Sequence, residues 1–152
     1  MDEYLEDGIV FRLANTTNDF PPHSEKLQPA HLTITERDRA AATKSKSHPT
    51  CSVFDRDRCS VAQAKVIRGR DREATAFGFR VADIIIIWVE GLPGLQALRV
   101  PLDPPDSELA GADGHCGIAG LNRPEGMPNG KNLFYALRAK LADRSFRLAD
   151  QD

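Results

Sequence analysis

The chain has 152 residues, 41% of them hydrophobic and 28% charged, with a formal net charge of −2. That length suits one domain, 1–152, with a real core, and the composition excludes general disorder. The near-neutral total excludes nucleic-acid binding by bulk charge alone, and three cysteines (Cys51, Cys59, Cys116) are too few and odd in number for a disulfide framework.

In chain order, Gly8 to Leu13 (GIVFRL) reads as a first strand. Residues 14–30 are rich in Asn, Thr and Pro, so they read as a loop or an ordered arm. Thr35-Glu-Arg-Asp38 has a hydroxyl cap with an acid three residues on, which opens a helix expected to run to about Lys46 on the surface. His48-Pro49 breaks it, and Cys51 to Phe54 is a short strand. Ser60-Val-Ala-Gln63 is a capping box, and Gly69 sits where a C-terminal glycine belongs. The helix between them turns Val61, Ala64 and Ile67 or Val66 to one face.

Ala74 to Val81 alternates through Phe77 and Phe79, as a strand does. Ile84 to Val89 is short, apolar and β-branched, so it is expected to be a central strand buried on both faces. Gly91 to Gly94 is a turn, and Leu95 to Val100 is an antiparallel return strand. An acidic Pro/Gly loop follows to Gly114, then a small-residue strand from Cys116 to Leu121 and a loop to Gly130. Lys131 to Ser145 is a helix, because Leu133, Phe134, Leu137 and Leu141 share one face at 3.6 residues per turn. The expected fold is α+β: a mixed or antiparallel sheet of about five strands packed against two or three helices. Phe77, Phe79, Ile84, Ile86, Leu133, Phe134, Leu137 and Leu141 are the expected core.

The acidic N-terminus lacks the basic start and apolar run of a signal peptide, and no stretch approaches the roughly twenty apolar residues of a membrane helix. The expectation is a cytoplasmic protein with reduced thiols and no membrane contact. No metal site is expected, since the cysteines and histidines form no Cys-x2-Cys or His-x3-His pair. No Gly-rich phosphate loop occurs, and no cofactor is expected.

Two histidine–cysteine groups remain, His48 with Cys51 and Cys59, and His115 with Cys116. His115 and Cys51 are the candidate functional residues, because a thiolate and a base on neighbouring strands make a nucleophilic pair. Adjacent strand residues point to opposite faces, so His115 is not expected to activate Cys116. Asp55-Arg-Asp-Arg58 puts two acids before a helix N-terminus, where they favour its dipole or pair with the interleaved arginines. Residues 37–72 carry ten basic and four acidic residues, a net +6 that leaves −8 elsewhere. Such segregation points to an anionic partner or a charged protein interface. Arg56, Arg58, Arg68, Arg70 and Arg72 flank the short capped helix and are the expected partner-binding residues, with no catalytic residue assigned.

Ser52-Val-Phe-Asp55, the helix Val61-Ala-Gln-Ala64, a buried strand, the acidic Pro loop, Gly114-His-Cys-Gly-Ile-Ala-Gly120 and a helix ending Ala139-Lys-Leu-Ala142 occur in that order. Over roughly residues 50–145 they resemble small uncharacterised bacterial accessory proteins of defence or toxin–antitoxin gene clusters. The resemblance implies a bacterial or phage-borne accessory protein and no reaction. A first strand carrying Arg12 is also superficially similar to ADP-ribosyltransferase-like folds, where such an arginine holds the dinucleotide; Glu90 is the nearest glutamate. The reading is therefore a non-catalytic adaptor or regulatory subunit that binds another protein. The alternatives are a nucleic-acid-binding accessory using segment 37–72, and a small Cys/His-dependent or ADP-ribosyl-type enzyme.

Overall fold

The computed structural model describes residues 3–14, 25–45, 49–69 and 74–149. Arg70, Arg72 and His48, and most of the 14–30 arm, lie outside the described residues. The fold is α+β. Among the described residues six strands form one antiparallel sheet: β1 (Ile9–Ala14), β2 (Cys51–Asp55), β3 (Thr75–Arg80), β4 (Gln96–Arg99), β5 (His115–Ala119) and β6 (Phe146–Leu148), in the order β4-β5-β2-β1-β3-β6. Four α-helices within the same described residues accompany it: α1 (Glu36–Ser45), α2 (Val61–Arg68), α3 (Val81–Ile86) and α4 (Gly130–Asp143). Among the described residues no helix is long and apolar enough to cross a membrane.

Period-2 alternation splits the core between the two faces of the sheet. Val10, Cys51, Val53, Phe77, Phe79, Cys116 and Ile118 face one side, where α3 and α4 add Val81, Ile84, Leu137 and Leu141. Phe11, Leu13, Phe54 and Ala76 face the other, where α2 adds Val61, Ala64 and Ile67. The short helix α2 holds its position through its ends. Ser60 Oγ accepts the Gln63 N–H at 3.1 Å, Gln63 Oε1 accepts the Ser60 N–H at 2.9 Å, and Gly69 closes the C-terminus at φ 64°.

Three expectations need correction. Ile84 to Val89 is no strand: residues 81–86 are helical, and Val81, Ile84 and Ile87 are buried at a spacing of three while Ile85, Ile86 and Trp88 are exposed. Asp83, just before the apolar run, lies in the first turn of this helix and pairs with Arg144 at 3.7 Å. Ile86 therefore leaves the expected core; the other seven residues are buried or packed on it. The C-terminal helix stops at Asp143, and β6 follows as an unforeseen edge strand. The acids of the Asp55–Arg58 segment behave differently from each other. Asp55 is buried and pairs with Arg99 of β4 at 2.6 Å, whereas Asp57 is exposed.

Candidate functional site

The central strands part near the N-terminal end of β2. Strand β1 pairs with β3 along six residues but with β2 only at Val10↔Asp55 and Phe11↔Phe54. Beyond that point Leu13 and Ser52 face an opening instead of each other. The opening is a cleft of about 240 Å³ lined by Arg12, Leu13, Thr35, Asp38, Ser52, Phe54 and Arg68. Two guanidinium groups and one carboxylate line it, with Leu13 and Phe54 as apolar walls.

Arg12 holds the cleft open and is spent in doing so. Its Nε donates to the His31 carbonyl at 2.6 Å, Nη1 to the Ser52 carbonyl at 2.7 Å and Nη2 to the Thr33 carbonyl at 3.3 Å. It replaces the ladder hydrogen bonds lost where β1 and β2 diverge, and ties in the segment leading to α1. At that end of the cleft, Thr35 Oγ1 accepts the Asp38 N–H at 3.1 Å and Asp38 Oδ2 accepts the Thr35 N–H at 3.0 Å.

Ser52 forms the wall, and His115 stands behind it. The register explains the meeting: β2 and β5 pair Ser52↔Gly117 and Phe54↔His115, so Ser52, Phe54 and His115 share one face. Gly117 adds no side chain there, and the His115 ring reaches Ser52 diagonally. Ser52 Oγ lies 2.5 Å from His115 Nε2. His115 Nδ1 lies 2.6 Å from the Val100 carbonyl oxygen. The Val100 N–H in turn donates to the His115 carbonyl at 3.1 Å, so ring and backbone clamp one residue. Arg68, from the last turn of α2, donates to Ser52 Oγ and lies 3.1 Å from His115 Nε2. Its guanidinium sits 5.5 Å over the Phe54 ring, and the Phe54 and His115 rings lie edge to face with centroids 5.3 Å apart. Ser52 is 8% exposed and His115 6%.

The donors and acceptors fix the proton positions. A carbonyl only accepts, so His115 Nδ1 carries a proton. Arg68 only donates, so Nε2 is the unprotonated nitrogen. The Ser52 hydroxyl accepts from Arg68 and donates to Nε2. One consistent chain results: Arg68 to Ser52 to His115 to the Val100 carbonyl.

The expected residues divide. His115 is in the site, but its partner is Ser52 and not Cys51. Cys51 pairs with Ile118 and points into the core on the opposite face, where burial pushes its thiol pKa up. Cys116 lies on that face too, and burial pushes it up to about 11. Arg68 lines the cleft, Arg56 is half-buried and Arg58 is exposed. Arg12 meets backbone carbonyls, and Glu90 is exposed in the loop after α3, outside the cleft lining. A serine on a strand carries no local signal of such a role, so Ser52 is absent from the expected site residues. Only the cross-strand register places it beside a residue 63 positions away. Comparison with protein-family models, with curated proteins and with solved structures gives no match for this chain.

Proposed function

We propose that the protein binds a small anionic ligand in the cleft between β1 and β2. The observation that carries this reading is the convergence of Arg68 and Ser52 on an apolar-walled opening. A cleft with apolar walls and a few convergent polar groups is the usual form of a small-molecule site. Arginine favours a carboxylate or phosphate there, because its fork donates in one plane. The Phe54 and Leu13 walls suit a flat or aliphatic body behind the anionic group.

Phenyl phosphate offers both parts, and amide shifts in a ¹⁵N-labelled sample would follow its binding. Saturable shifts centred on residues 12–13, 52–54 and 68 are expected, with affinity falling about tenfold or more in Arg68→Gln, as for loss of one charge-assisted contact. Small, non-saturating shifts scattered over the surface would overturn the reading.

A second observation favours the adaptor reading. Ile86 is 65% and Trp88 64% exposed, with Ile85 beside them. Adjacent exposed apolar side chains, tryptophan above all, mark protein interfaces. This reading gives the partner that surface, with Arg56 and Arg58 as separate charged contacts. A stoichiometric complex with a defined protein should be lost in Trp88→Glu and kept in Arg68→Gln. A complex indifferent to Trp88→Glu would rule out this surface.

A further inference from the structure

We propose that Ser52 is a nucleophile and His115 its base, and that the cleft hydrolyses small carboxylic esters bearing a negative charge. The proposal rests on the anionic-ligand reading of the same cleft. Three geometric requirements of a serine nucleophile are met. The base lies within hydrogen-bond reach, 2.5 Å from Oγ to Nε2. The base is oriented from behind, by the Val100 carbonyl 2.6 Å from Nδ1. The nucleophile faces a cleft, and the base does not. The ring already holds the tautomer that takes a proton on the Ser52 side.

The nature of the orienting group narrows the substrate. In a Ser-His-Asp triad a buried carboxylate stabilises the imidazolium that forms. Here a neutral carbonyl does so, and less strongly. Expulsion of an amine is therefore disfavoured and expulsion of an alkoxide or phenoxide is accessible. Arg68 supplies the charge on the other side. It touches Oγ, so it favours an anionic substrate and the oxyanion of a tetrahedral intermediate.

The steps balance without any further reactant than water. Ser52 Oγ bonds to the acyl carbon as its proton passes to His115 Nε2, and the carbonyl π pair moves onto oxygen. As Oγ bonds to carbon it gives up the lone pair that accepted from Arg68, which frees that N–H for the oxyanion. The intermediate collapses, the C–O bond to the alcohol breaks, and the leaving oxygen takes the proton from Nε2. Water then attacks the acyl-serine with His115 as base, releasing the acid and restoring the Ser52 hydroxyl. Ester and water give acid and alcohol.

A small alkyl fluorophosphonate, which forms a stable bond with an activated serine, tests the proposal on the full chain. Intact mass should show one adduct per chain, and peptide mapping should place it on Ser52. Phenyl phosphate should compete with labelling. His115→Gln should slow labelling by about 100-fold or more, the usual scale for loss of a general base. The p-nitrophenyl monoester of succinic acid should turn over faster than p-nitrophenyl acetate, and Arg68→Gln should erase that preference. Should His115→Gln fail to melt cooperatively, the mapped position in the unaltered chain decides alone. No adduct, or an adduct elsewhere, in a sample that binds phenyl phosphate saturably overturns the nucleophile and leaves the binding reading standing. No adduct and no phenyl phosphate binding overturns both.

Discussion

Gly117 makes the cleft face of β5 bare where it pairs with Ser52, and its replacement by alanine gives a sharp test of the packing there. A Cβ at this position would overlap Thr50 Oγ1 and Cβ outright and lie 3.1 Å from Thr50 Cγ2. Rotation about χ1 can move Oγ1 and Cγ2 aside but cannot move Cβ, so the backbones of residues 50 and 117 must separate. Overpacking of this kind costs about 1–3 kcal/mol, and the involvement of Cβ puts Gly117→Ala near the upper end. For a chain of this size that is a drop of roughly 6–12 °C in Tm. The three nearest atoms all belong to the Thr50 side chain. Thr50→Gly therefore removes the clash at a cost of its own of roughly 0.5–1 kcal/mol. Urea denaturation of the wild type, both single variants and the double variant closes the cycle. Gly117→Ala should cost about 2 kcal/mol less in the Thr50→Gly background. An equal cost in both backgrounds would mean that Thr50 is not what the added methyl meets.

Leu137 is buried between α4 and the sheet, so Leu137→Ala should cost about 2–5 kcal/mol by urea denaturation; a loss under 1 kcal/mol would contradict that packing. All three thiols are buried, and burial first, then the Asp113 and Asp55 charges, raises Cys59 to about 11, matching Cys116 at about 11. Native protein at pH 8 should resist an aromatic disulfide reagent that titrates three thiols after unfolding. Because the folded thiols hold their protons more tightly than the unfolded ones, stability should be full below pH 9 and fall as pH rises toward about 11. His31 has its pKa lowered, chiefly by burial and also by the nearby Arg12 charge, against the raising effect of a hydrogen bond to the Gln28 backbone. The unfolded chain then binds more protons below about pH 6.5, so the His31 contribution is full above that value and is lost as pH falls. His31→Gln should flatten the acid side of the stability–pH curve, and an unchanged slope would count against the shift.

Much of the fold was written in local signals. The Ser60–Gln63 capping box and the Leu133–Leu141 stripe are short-range, and each appears where its spacing puts it. The failures have a common cause in competing periods. Ile84 to Val89 satisfies a buried-strand composition, yet Val81, Ile84 and Ile87 already carry a spacing of three that tertiary packing selects. The three residues of β6 are too few to show any period. The site was half legible. His115 stood out as a lone histidine at a strand entrance, and alternation alone separated it from Cys116. Its true partner depends on the β2–β5 register, which pairs residues about 60 positions apart and leaves no trace in either segment. In sequence Arg68 is one charge in a basic run, and only its placement over Phe54 at the C-terminus of α2 sets it apart.

The most direct measurement is the ring-nitrogen spectrum of His115, recorded by long-range ¹H–¹⁵N correlation with and without phenyl phosphate. A protonated Nδ1 and an unprotonated Nε2 are expected in the free protein at neutral pH, as the Val100 and Ser52 contacts require. On binding, the Nε2 resonance should shift with the same saturation as the Ser52 amide, and Arg68→Gln should move both to about tenfold or more higher ligand concentration. An Nε2–H tautomer in the free protein, or an Nε2 signal indifferent to a ligand that saturates the cleft, would contradict this arrangement.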